Sequence, residues 1–198
     1  REPDELGRAV PNCPGWTVYN AAVHVGRAAL GWAEMITSAP NDATALSRTR
    51  ACWDQPAGQP LETLAQWAQG TIDLLSDDQT RPAFYPFPTS EAPTVGLWGW
   101  HAAAEIGVHR LDIEAALEHP HSMTDTQAQD ACDYAITVIL PGMASRDDTQ
   151  LPPLIAELRG DNGPTFAIGP SSLSNEVPAA VRGPAVQVLL ALWGRTYH

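Results

Sequence analysis

Glu105 and His109 stand four residues apart in the stretch Trp100-His101-Ala-Ala-Ala-Glu105-Ile-Gly-Val-His109-Arg110-Leu-Asp112. On a helix, residues at that spacing lie on one face, so a carboxylate and an imidazole project together. Trp98, Ala102, Asp112 and Ala116 share roughly the same face, and its two alanines leave room beside the pair. His101 is one step earlier, but each four-residue step drifts about 40° around the axis. Three consecutive ligands on one straight helix would therefore spread too widely for a tetrahedral ion, and a third donor should come from another helix. His24 is the best candidate, on the edge of an apolar stripe with no acidic neighbour in sequence. Two histidines and one carboxylate suit zinc and leave a fourth position open, the arrangement of a catalytic site. The bland alternatives stay open: a chance helical Glu-x3-His spacing for Glu105 and His109, and a core or edge residue for His24. His119, His121 and His198 fall in loop or terminal positions where solvation is expected.

The elements that must position these residues read as follows. Residues 1–16 carry Pro3, Pro11, Pro14 and Gly15 and are expected to be loop. Thr17 is an N-cap candidate for a helix over 17–38, with Val18, Ala21, Ala22, Val25, Ala28, Ala29, Trp32 and Ile36 as its apolar stripe. Residues 39–59 read as irregular. Pro60 suits a first helical position, and Leu61, Leu64, Ala68, Ile72 and Leu75 predict a second helix to about 77. A proline-rich connection over 78–93 leads to a long third helix, about 94–118, whose stripe includes Trp98, Ala102, Ile106, Ile113 and Leu117. Thr124 and Gln127 form a capping-box pattern opening a fourth helix to about 140, halted by Pro141-Gly142. Short strands are expected at 154–159, 165–168 and 177–182, separated by Gly-rich turns, before a compact apolar helix from Ala185 to Trp193. The predicted fold is mostly α: an antiparallel four-helix bundle over residues 1–145, followed by a small α+β domain over 146–198.

Composition narrows the chemistry. The 198 residues hold 11 arginines, no lysine and 23 acidic residues, for a net charge of −12. Schiff-base, phosphate-loop and general-base lysines are excluded. No basic patch offers a footprint for nucleic acid, and no apolar run is long enough for a bilayer. Three widely spaced cysteines make no even framework, so a reducing cytoplasm is expected. The chain opens on Arg1 rather than Met, so a preceding stretch is expected in the whole protein.

Three segments carry a family resemblance. Val10-Pro11-Asn12-Cys13-Pro14-Gly15-Trp16-Thr17-Val18, with His24 seven residues after Thr17, resembles the N-terminal domain of the mycothiol-dependent maleylpyruvate isomerases, members of the DinB-like metal-binding four-helix bundles. Trp100-His101-x3-Glu105-x3-His109-Arg110-x-Asp112 is similar to the second signature of that family. Arg182-Gly183-Pro184-Ala185 and Leu189-Leu190-Ala191-Leu192-Trp193-Gly194-Arg195 resemble the end of its C-terminal domain. The resemblance implies a divalent metal, zinc foremost, held by His24, Glu105 and His109, and a functional arginine at Arg195. It also implies mycothiol as thiol cosubstrate, activated as thiolate for isomerisation of, or S-transfer to, a small electrophile. A DinB-like bundle that binds metal without turnover, in a stress or regulatory role, is the alternative. Two departures accompany the resemblance: the family's usual first helix should precede the Cys-Pro-Gly-Trp motif, and the region 145–182 is short, which implies a reduced sheet.

Supporting roles are also open. Asp112 could hydrogen-bond a ligand imidazole, Arg110 could pair with a carboxylate on another helix, and His101 could assist or replace a ligand. Arg195 could clamp a carboxylate through its planar fork or simply cover helix carbonyls. Cys13 precedes a helix N-terminus, which favours a thiolate, but reads better as a packed turn residue.

Overall fold

The computed structural model describes residues 3–56, 58–149, 154–159, 165–168 and 179–195. The chain divides into two units: residues 1–86, 90–102 and 112–120 in the first, and 87–89, 103–111 and 121–198 in the second.

In the first unit, Pro3–Leu6 form a single helical turn, α1, where loop was expected. The following segment folds back on itself: Val10 N–H donates to the Trp16 carbonyl (2.9 Å) and Val18 N–H to that of Arg8 (2.9 Å). Gly15 takes φ +81°, a left-handed conformation that glycine adopts without a Cβ penalty. α2 spans Val18–Thr37, opened by Thr17, whose hydroxyl and backbone exchange hydrogen bonds with Asn20. Val10, Val18, Ala21, Ala116 and Leu117 form a core cluster that Leu6, Cys13 and Trp16 pack against.

Residues 39–59, expected to be irregular, contain a helix, α3, over Ala45–Trp53. Its buried face is only Ala45 and Thr49, too sparse to register as periodicity. Tertiary contact supplies what the pattern lacks. Asp42 accepts from Thr44 N–H (2.8 Å), and the Arg48 guanidinium gathers Glu34, Asp42 (2.8 Å), Ser38 (2.7 Å) and Thr44. At Gly31 a Cβ would stand 3.1 Å from Thr49 Cγ2, so glycine there lets α3 approach α2 closely.

α4 spans Leu61–Leu75, with Pro60 just outside it rather than in its first turn. It rests on α2 through Leu64, which fills the space over Gly26, and Thr71, whose hydroxyl donates to the Ala29 carbonyl (2.7 Å). The expected stripe is only partly buried: Leu61 is 38% exposed and Ile72 is 49% exposed. Packing chiefly against α2 buries a narrower face than the apolar pattern offers. α5 spans Val95–Ala116 and contributes residues to both units. Its buried residues include Trp98, Ala102, Ala104, Val108, Leu111 and Asp112, which cover about half of the helix circumference, whereas Ile106, expected inside, is exposed on the other side with Ala103 and Arg110.

In the second unit, α6 spans Asp125–Tyr134 behind the Thr124/Gln127 capping box. The expected stop at Pro141-Gly142 does not occur. A π-helical segment, Ala135–Ile139, precedes α7, Leu140–Arg146, and Leu140 N–H donates back to the Ala135 carbonyl. Pro141 thus falls in the first turn of α7, where its missing N–H costs little.

Three strands follow: β1 Leu154–Arg159, β2 Thr165–Ile168 and β3 Ala179–Pro184, in the order β2-β1-β3. β1 pairs antiparallel with β2 (Ala156 opposite Ile168) and parallel with β3 (Ala156 opposite Val181). The first part of the third strand expectation, the intervening Gly-rich turns and His198 lie outside the described residues. α8, Ala185–Leu192, packs on this sheet and on α6, with Ala156, Leu158, Val188 and Leu189 buried. The fold is therefore mostly helical with a small sheet.

Candidate functional site

Glu105 and His109 stand together on α5, with His109 Nε2 3.9 Å from Glu105 Oε2. That distance is too long for a hydrogen bond but within ion-pair range. The imidazole is nearly buried, at 7% side-chain exposure, and the carboxylate is largely so, at 24%. Burial pushes the Glu105 carboxyl above its ordinary range. His109, a side-chain hydrogen bond from Trp193 and the positive charge of Arg195 act in the opposite direction.

The end of α8 explains how Trp193 and Arg195 reach this carboxylate. Gly194 takes φ +69°. Its N–H donates to Ala191 (3.0 Å), while Arg195 N–H reaches back to Leu190 (2.7 Å). This is a Schellman cap, with the left-handed residue being the glycine that favours it. The cap fixes the backbone of Arg195, and its Nη1 donates to the Trp193 carbonyl (2.6 Å). The arginine therefore does cover a helix carbonyl, as one of the two readings held, while its charge also acts on Glu105. Trp193 was legible only as part of a motif. Nothing in its spacing marks the indole as a donor to Glu105.

The remaining candidates belong to the first unit, apart from the exposed Arg110. His24 is half-buried between two indoles, its ring centroid 5.0 Å from that of Trp16 and 5.2 Å from that of Trp53. Asp112 is fully buried and accepts a weak hydrogen bond from the Cys13 thiol (3.7 Å). Cys13 accordingly sits as a packed turn residue. Among the described residues, no three His, Cys, Asp or Glu side chains are grouped to hold a metal ion. The donor types fit zinc, but the observed grouping provides Glu105 and His109 alone, so no chemical step is derived through a metal.

His101 occupies an aromatic box. Its Nδ1 is 3.1 Å from the Tyr85 hydroxyl, and Trp32, Tyr85 and Trp98 surround the ring. Burial pulls its pKa down to about 4. The folded state thus binds the proton more weakly than the unfolded chain, whose histidine titrates near about 6.5. Stability from this residue is complete above the unfolded pKa and is lost as pH falls from about 6.5 towards 4. His101→Leu should therefore flatten the acid limb of the melting-temperature profile by about one proton between pH 6 and 4.5. An unchanged slope would mean that the ring protonates in place.

The family model for the mycothiol maleylpyruvate isomerase N-terminal domain matches residues 2–114, more than half of the chain. This chain belongs to that family. Its match contains His24, Glu105 and His109, while Arg195 lies beyond it. No curated protein and no solved structure matches the chain. Membership of the mycothiol maleylpyruvate isomerase family points to a mycothiol-related, isomerase-like function. No described helix is long and apolar enough to cross a membrane.

Proposed function

We propose that this protein is a metal-dependent enzyme that activates mycothiol, as thiolate, to isomerise a small electrophile or to be joined to it through sulfur as a thioether. The observation that carries this reading is the largely buried Glu105/His109 pair on α5, 3.9 Å apart and inside the residues that match the family model. In this reading His24, Glu105 and His109 hold zinc or another divalent ion, and residues 1–145 form a DinB-like antiparallel four-helix bundle ahead of the 146–198 domain. A bound divalent cation would lower the thiol pKa from about 8.5 and so supply thiolate at neutral pH. Arg195 holds a carboxylate of the acid through two N–H donors. Its cap leaves little backbone freedom to lose on binding. His101, Asp112 and Arg110 keep α5 and its donors in position. In this reading the protein works in a reducing cytoplasm, where its three cysteines stay as thiols.

For the isomerase outcome, thiolate adds to one carbon of a cis double bond, the resulting single bond rotates, and thiolate departs to leave the trans product. Thiol and protons balance, so no net oxidation occurs. Mycothiol-dependent loss of a cis-enedioyl acid, with trans product or thioether identified, tests the activity. Elemental analysis tests the metal: about one zinc per chain is expected, reduced by at least tenfold in His24→Ala and His109→Ala. Full zinc retention in both variants would remove the ligand assignment. Metal without thiol-dependent turnover would favour the non-catalytic, regulatory alternative.

A further inference from the structure

Arg27 stands on α2 one turn after His24 and one turn before Gly31. Trp53, at the end of α3, reaches both neighbours. Its ring centroid is 5.2 Å from that of His24, and its Nε1 is 4.0 Å from where a Cβ at Gly31 would stand. The indole thus spans the turn that carries Arg27, and it remains 40% exposed. Arg27 Nη2 donates to the Gln55 carbonyl, which holds the guanidinium in place.

Most of its donor capacity is unused. A guanidinium has five N–H donors, and here one bond is made while Nε is buried without an acceptor. Among the described residues, Arg8, Arg48, Arg81, Arg146 and Arg182 each pair with a carboxylate; Arg50 and Arg159 pair with none but are exposed, whereas Arg27 is half-buried and pairs with none. In a chain with 23 acidic residues against 11 arginines, that exception is informative. Strapping residue 55 to α2 requires one N–H and no charge, so it leaves the cation unexplained. A half-buried cation without a partner is completed by an anion from solution.

We propose that Arg27 and Trp53, beside His24, form a subsite for a small unsaturated carboxylic acid, with the guanidinium on its carboxylate and the indole against its flat body. The substrate class rests on the proposed function; the binding does not. The test is calorimetric titration of maleate into the full chain without thiol, in an Arg195→Gln background that removes the other proposed carboxylate contact. Saturable binding is expected, weakened at least tenfold by Arg27→Gln and several-fold by Trp53→Leu, and absent for dimethyl maleate. Arg27→Lys should also weaken binding, since lysine lacks the planar fork. Circular dichroism verifies folding, and if Arg27→Gln misfolds, Arg27→Lys and Trp53→Leu decide. No binding to the background protein, binding within twofold in the folded variants, or equal competition by chloride would overturn the proposal. Arg27-dependent binding without thiol-dependent turnover in the natural chain would leave the subsite standing and remove the proposed reaction. Turnover with an unchanged KM in Arg27→Gln would do the reverse.

Discussion

Arg195→Lys should retain fold and metal content while lowering thiol-dependent kcat/KM about 100-fold. The Schellman cap places residue 195 through backbone bonds from Gly194 and Arg195 to Ala191 and Leu190, and these do not depend on the side chain. Lysine therefore begins from the same mount. It can still bond the Trp193 carbonyl, which Arg195 Nη1 reaches at 2.6 Å. What it loses is the second parallel donor towards a carboxylate, and a hydrogen bond to a charged group contributes about 1.5–3 kcal/mol. The upper part of that range corresponds to roughly a hundredfold change in rate. Zinc content, melting temperature and turnover measured on one preparation separate the alternatives. Near-normal turnover would reduce Arg195 to a cap that covers carbonyls and remove it from the active centre.

Trp98→Ala should have the largest effect on stability, about 3–5 kcal/mol. Trp98 is 1% exposed and its indole N–H donates to the Phe84 carbonyl (2.7 Å). Its ring meets Tyr85 edge-on (4.9 Å between centroids) and lies 5.0 Å from His101. Alanine leaves a cavity, an unpaired carbonyl and a histidine box open on one side. Since domains of ordinary stability hold only about 5–15 kcal/mol, the loss should be plain in urea unfolding. Trp98→Phe restores most of the volume but not the donor and should cost about 1–3 kcal/mol. A loss below 1 kcal/mol in the alanine variant would show that the box collapses without penalty.

Much of the framework is determined by local sequence. Capping chemistry and the 3.6-residue period are short-range properties, so α2 and α6 start within a residue of where Thr17 and Thr124 indicate, and α5 starts within a residue of its expected position near 94. The Glu105/His109 pair is legible for the same reason, since four-residue spacing on a helix needs no knowledge of the rest of the chain. Other features rest on contacts between residues far apart in sequence. α3 is helical because Arg48 gathers partners from the preceding turn and α2, and because Gly31 lets Thr49 approach. The π-helical segment before Pro141 carries a helix through a residue that local rules treat as a stop. Only the folded chain places His24 between Trp16 and Trp53, and only it brings the Trp193 indole to Glu105. Sequence thus determined which helices carry the candidate donors. Tertiary structure decided what surrounds each donor, because burial, hydrogen-bond partners and local charge come from distant segments whose approach no local spacing encodes.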